Sequence, residues 1–135
     1  MNSYFIHNII GDGNCFLRSL SFLLYNTQSE YKELRKQIVN DVVHNCDYYF
    51  PLITYRLPIQ NSTDYINLIS KDGEYTGNTE IETAARLFNC QFKIYTEDLG
   101  SYVTVGAGAV IYNLRFSGNA DSGHLDVFCK FKFYC

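Results

Sequence analysis

Two short stretches hold the residue types that nucleophilic chemistry needs. At residues 11–18, Gly-Asp-Gly-Asn-Cys-Phe-Leu-Arg puts Cys15 at the seam between a glycine-rich turn and an apolar helical pattern. The thiolate is the reactive form of cysteine, and a helix N-terminus carries partial positive charge and unpaired N–H groups. A cysteine placed there is expected to have a lowered pKa, and the same N–H groups can hold an oxyanion. Gly13 and Asn14 tolerate the dihedral angles of a tight turn, so Gly13, Asn14 and Cys15 form the candidate oxyanion loop. At residues 123–128, Gly-His-Leu-Asp-Val-Phe places Asp126 two residues after His124. Both side chains then leave the same face of a strand, and the carboxylate can orient an imidazole that serves Cys15 as base.

From these residues alone two readings of Cys15 stand open: an activated nucleophile, or the first apolar residue of a helix. The other histidines carry less. His44 sits one position off an apolar stripe, and His7 falls in a strand just before the turn. Asp12-x-Asn14 lacks the later ligands and closing Glu of a calcium loop, and no Gly-Lys-Ser/Thr follows the glycines. The five cysteines are odd in number and contain no CxxC pair. That argues against a disulfide framework or a zinc site and for a reducing compartment. No metal and no cofactor is expected.

The elements that must position these groups follow from periodicity. Phe16, Leu20, Leu23 and Leu24 predict a helix over residues 15–25. Thr27-x-x-Glu30 reads as a capping box opening a second helix, with Tyr31, Leu34, Ile38, Val42 and Cys46 on one stripe. Residues 47–72 hold both prolines, Pro51 and Pro58, and predict a loop followed by a short helix near 62–70. Thr79-x-x-Glu82 reads as another capping box, ahead of an Ile81, Ala84, Ala85, Phe88 face. Strand patterns follow in QFKIY, SYVTV and VIYNLRF, and a last strand begins at His124, with Leu125, Val127, Cys129, Phe131 and Phe133 on one face. Helices come first and strands later, which predicts an α+β fold.

With 135 residues, one domain over 1–135 is expected, large enough for a single core. Net charge is −3, which gives no basic face for nucleic acid. No apolar run approaches the ~20 residues of a membrane span, and the N-terminus lacks a signal-type pattern. The expected location is cytoplasmic.

Asp12-Gly13-Asn14-Cys15-Phe16-Leu17-Arg18 resembles the nucleophile motif of the ovarian tumour (OTU) family of cysteine deubiquitinases. Residues 74–95 look like that family's central segment, and Gly123-His124-Leu125-Asp126-Val127-Phe128 looks like its terminal histidine segment. The resemblance implies a papain-like OTU fold with helices packed on a small mixed sheet. It also implies hydrolysis of isopeptide or peptide bonds after the C-terminus of ubiquitin. Cys15 then matches the nucleophile, His124 the base and Asp126 the residue orienting it. Asp12 matches the motif acid, counted with the active site and read here as a turn carboxylate holding the oxyanion loop. Glu80 matches a helix-leading Glu, and Arg18 the motif Arg, read as a structural ion pair. The implied partner is ubiquitin or polyubiquitin, with a ubiquitin-like modifier or another polypeptide as the alternative substrate. A ubiquitin-binding module with little activity is the alternative from another class.

Three departures concern substrate preference: Tyr75-Thr76-Gly77 stands where the family often has Trp-Gly-Gly, Leu125 stands where an aromatic is common, and no obvious arm is expected to add ubiquitin contacts. The arginine-rich ubiquitin tail calls for acids beside the groove. Asp72 and Glu74, with Tyr75 packing on a guanidinium, are the substrate-binding candidates, and Asp64 and Glu82 extend the set.

Overall fold

The computed structural model describes residues 4–53, 59–118 and 123–129. Strand β1 (Phe5–His7) is followed by five helices, α1 (Cys15–Tyr25), α2 (Tyr31–His44), α3 (Cys46–Ile53), α4 (Ser62–Ile69) and α5 (Asn78–Leu87). Four strands then follow: β2 (Cys90–Tyr95), β3 (Tyr102–Gly106), β4 (Val110–Ser117) and β5 (His124–Cys129). The sheet order is β1-β5-β4-β2-β3, antiparallel throughout except for the parallel β2–β4 pair. This is the α+β architecture that the chain order predicts.

The fifth strand fits between the first strand and β4, pairing Val127 with both His7 and Leu114. Alternation puts Phe92, Leu114, Leu125 and Val127 into the core, where they meet Phe16, Leu17 and Leu20 of α1 and Leu34, Ile38 and Val42 of α2. Phe16 meets Phe92 edge to face at 5.4 Å between centroids. The β3–β4 turn needs glycine at Gly106, where φ is 89° and a Cβ would stand 2.4 Å from that of Ala85.

Four expectations change. The second helix starts at Tyr31, with no side-chain cap at Glu30. Ser21 Oγ donates to the Thr27 carbonyl and accepts from Glu30 N–H, so the preceding helix organises this turn and Thr27 is no cap. Cys46 opens α3 instead of closing the α2 stripe, and α3 forms where a loop was expected. Burial of Tyr49 outweighs Pro51, which lies late in the helix. The helix α5 begins after Gly77, and it is Glu80, not Glu82, whose Oε1 accepts from the Gly77 N–H at 2.8 Å. Last, Cys129 is disulfide-bonded, where the cysteine count argued against bridges. A count carries no distance between thiols, which is what decides bridging. Pro58, Phe131 and Phe133 lie outside the described residues.

Cys15, Cys46 and Cys90 are free. Burial pushes the Cys90 thiol up to about 11. Mass-mapped alkylation near neutral pH is therefore expected to mark Cys15 well before Cys90, and the reverse order would contradict the placement of Cys15 beside a base.

Candidate active site

The helix α1 starts at Cys15, and its first intrahelical bond runs from Arg18 N–H to the Asn14 carbonyl at 2.8 Å. The N–H groups of Cys15, Phe16 and Leu17 precede that bond and have no partner within the helix. The turn ahead of them is held from two sides. Asp12 Oδ1 accepts from Asn14 N–H at 3.1 Å, and Arg18 Nη2 donates to Asp12 Oδ2 at 2.7 Å. The Arg18 guanidinium holds the Asp12 carboxyl at about 2, below its ordinary range. Arg18 also lies over the Tyr31 ring at 4.0 Å. Asp12 thus bridges the Asn14 N–H of the turn and the Arg18 guanidinium of α1.

On the other side the loop meets residues 71–74. Gly13 has φ of 84°, and a Cβ there would fall 1.8 Å from the Gly73 carbonyl oxygen. Asn14 is buried, and its Oδ1 accepts from Gly73 N–H at 2.9 Å and from Arg35 Nη2 at 2.7 Å. Its Nδ2 donates to Asp72 Oδ1 at 3.1 Å. Arg35, itself buried, also donates to the Ile69 carbonyl at 2.6 Å and the Glu74 carbonyl at 2.9 Å. The sequence reading missed Arg35. Its signal was a charged residue on the apolar stripe of Leu34, Ile38, Val39 and Val42.

The imidazole comes from the start of β5. Its Nε2 lies 2.8 Å from Asp126 Oδ1, which also accepts from Ile9 N–H at 2.8 Å. With Nε2–H donating its hydrogen bond to the carboxylate, Nδ1 is the nitrogen free to accept a proton. Nδ1 packs over Gly11, where a Cβ would stand 3.6 Å away. Ile9, Gly11, Gly13, Cys15, Tyr75, Gly123 and His124 line one cleft of about 590 Å³. The structure therefore brings Cys15 and His124 to the same opening, with Asp126 behind the ring.

The thiol itself departs from expectation. Cys15 is 4% exposed, and burial pushes its pKa up, with the Asp126 charge adding to the rise. Backbone hydrogen bonding at Leu125, Phe16 and Cys15 itself opposes this without reversing it. Burial thus outweighs the helix terminus at this thiol, and the group lining the same cleft with a nitrogen able to accept a proton is His124.

Of the acids expected to meet substrate, Asp72 holds Asn14, and Glu74 stands on the same loop. Tyr75 lines the cleft, and burial raises its phenol pKa, with Cys15 adding. Asp64 caps the Gln60 N–H at 3.0 Å instead, and Glu82 lines a separate cavity, accepting from Tyr48 at 3.0 Å. Glu80 receives the Tyr65 hydroxyl at 3.2 Å inside the core. His7 stacks on Phe22 and His44 bonds the Asn40 carbonyl, so neither lines the cleft.

Asp126→Asn keeps an oxygen for Ile9 and His124 but removes the charge that favours an imidazolium. A fall in kcat of roughly 10- to 100-fold with little change in KM is expected, part of the ~10²–10⁴ that acid–base catalysis supplies. Steady-state kinetics with kcat unchanged would move the orienting role elsewhere.

The family model described as OTU-like cysteine protease matches residues 10–124. "OTU domain-containing protein 1" of Mus musculus is 32% identical over 95 residues, which cover 70% of this chain and 20% of that protein. "OVARIAN TUMOR DOMAIN-containing deubiquitinating enzyme 9" of Arabidopsis thaliana is 30% identical over 90 residues, 67% of this chain and 25% of that one. The chain thus spans a fifth to a quarter of the length of these curated relatives. A solved ovarian tumour domain in complex with ubiquitin shares the fold at a TM-score of 0.77 and 17% identity, covering 94% of this chain and 70% of that one.

Proposed function

The chain belongs to the family of OTU-like cysteine proteases, and from that premise we propose that it is a thiol-dependent deubiquitinase, hydrolysing isopeptide or peptide bonds after the C-terminus of ubiquitin. The observation that carries this is the 2.8 Å contact of His124 Nε2 with Asp126, its other nitrogen standing beside the cleft of Cys15. A plant relative named as a deubiquitinating enzyme and a structural relative solved with ubiquitin support the substrate. Residues 1–135 act as one catalytic domain in this reading.

His124 Nδ1 takes the thiol proton as Cys15 Sγ bonds to the carbonyl carbon at the end of ubiquitin. The N–H groups of Gly13 and Cys15 receive the oxyanion; that of Asn14 is already given to Asp12, so Asn14 serves through its side chain. The C–N bond then breaks, and the imidazolium hands its proton to the leaving amine. Water, deprotonated by the same imidazole, splits the thioester and restores the thiol. Asp12 acts at one remove by holding the loop, and Asp126 orients the ring. Asp72, Glu74 and Tyr75 receive the basic tail. No metal or cofactor enters these steps. Among the described residues no helix is long and apolar enough to cross a membrane. We place the protein in the cytoplasm, where a nucleophilic thiol stays reduced; the same conditions would open the bond at Cys129.

Ubiquitin carrying a C-terminal electrophile tests the reading. Covalent capture at Cys15 together with cleavage of di-ubiquitin supports it. Capture only by a ubiquitin-like modifier changes the substrate, and reversible binding without capture removes the enzyme.

A further inference from the structure

The Asp126 carboxylate has a second neighbour. In the antiparallel β4–β5 pair, Arg115 stands directly opposite Asp126, so the two side chains share a face. Arg115 Nη2 lies 3.7 Å from Asp126 Oδ2, the oxygen that neither His124 nor Ile9 uses. The Arg115 Nε is buried without a partner, while Asp126 has its side chain 8% exposed. A guanidinium is thus held at the back of the carboxylate that orients the imidazole. Among the described residues, the other charged or titratable groups at this corner are few, and Tyr95 of β2 stands directly across from Arg115. Cys15 faces the ring from α1 and Tyr75 from the 71–77 segment. Asp12 is taken by Arg18. Lys93, on β2, lies over the Tyr102 ring instead.

We propose that Arg115 is a positioning residue that, by sharing the Asp126 carboxylate, limits how tightly His124 holds its proton and so keeps the imidazolium a ready acid for the leaving amine. A carboxylate facing an imidazolium alone stabilises it; a cation behind that carboxylate offsets part of the attraction. Removing the cation strengthens the hold on the proton. The base then forms from a protonated ring only at higher pH, and donation to the leaving amine slows. A unit charge several ångström away in a solvent-accessible site moves such a balance by about half a pH unit. The inference rests on the cysteine–histidine reading above but not on ubiquitin being the substrate.

The test is a ring-proton NMR titration of His124 in the Cys15→Ala chain, which removes coupling to the thiol, with and without Arg115→Gln. His124→Gln assigns the resonance among the three histidines. Arg115→Gln is expected to raise the midpoint by about half a unit, and Arg115→Lys, which keeps the charge, to recover most of it. In the chain with Cys15 intact, the acid limb of the kcat/KM profile should move the same way, with KM unchanged. A midpoint that Arg115→Gln leaves in place overturns the proposal. So does a lysine variant that shifts as far as glutamine, which would make the guanidinium a packing group. An intact NMR shift in a chain that fails to cleave di-ubiquitin would instead refute the substrate assignment and leave this inference standing.

Discussion

Cys15→Ala is expected to remove turnover by at least ~10³-fold while the purified protein keeps its fold, since residues acting as one catalytic unit fail together. The side chain is small and alanine is the best helix former, so α1 is retained at a cost of about 1 kcal/mol. His124→Ala should cost nearly as much. Burial pushes the Cys15 pKa up, and among the described residues lining the cleft His124 is the one imidazole. Because the pair works as a unit, the double variant should be no slower than either single one. Single-turnover cleavage by all three, with circular dichroism as the control on folding, decides the matter. Cleavage by Cys15→Ala above a tenth of the parent rate would place the nucleophile elsewhere.

The second large effect is on stability. Arg35→Met keeps much of the volume and loses every donor. Asn14 Oδ1, the Ile69 carbonyl and the Glu74 carbonyl each lose a bond of 2.6 to 2.9 Å from one buried guanidinium. Unsatisfied buried acceptors cost about 1–3 kcal/mol each, and relaxation and water recover part of that. A net loss of roughly 2–4 kcal/mol is expected, read as a lower denaturant midpoint at unchanged slope. Lysine should not rescue it, since a single ammonium cannot reproduce the fork that spans two loops and the end of α4. Activity should fall further than the folded fraction does, because the same guanidinium docks residues 71–75 against the turn before Cys15. A loss below ~0.5 kcal/mol would mean that water satisfies these acceptors.

The groups that meet at the candidate site were legible because each is local. A glycine turn running into a cysteine and a His-x-Asp on a strand are patterns of a few residues, and the structure brings both to one cleft. The apolar periods of α1, α2, α5 and the strands were legible for the same reason. Arg35 was not, because its acceptors lie 21, 34 and 39 residues away in sequence. Arg115 needed the β4–β5 register, which no single strand pattern supplies. The two Thr-x-x-Glu matches failed because capping depends on where the backbone leaves the helix: Ser21 organises the turn at Thr27, and Gly77 precedes α5. Pro51 read as a breaker because the anchoring of Tyr49 is a tertiary event. The lowered thiol pKa failed because burial, invisible in a motif, outweighed the helix terminus.

The place of β5 also sets a schedule for biosynthesis. It is the last described strand to be made, yet it fits between the first strand and β4, and the bond from Ile9 to Asp126 closes a span of 117 residues. While the chain is still emerging from the ribosome, β1 has no partner, and the nucleophile has neither its base nor the carboxylate behind it. Assembly of the candidate site thus comes in a single late event, and such long-range closure is slow. A chain released before β5 is complete leaves strands β1 and β4 with open edges, material for chaperones and degradation.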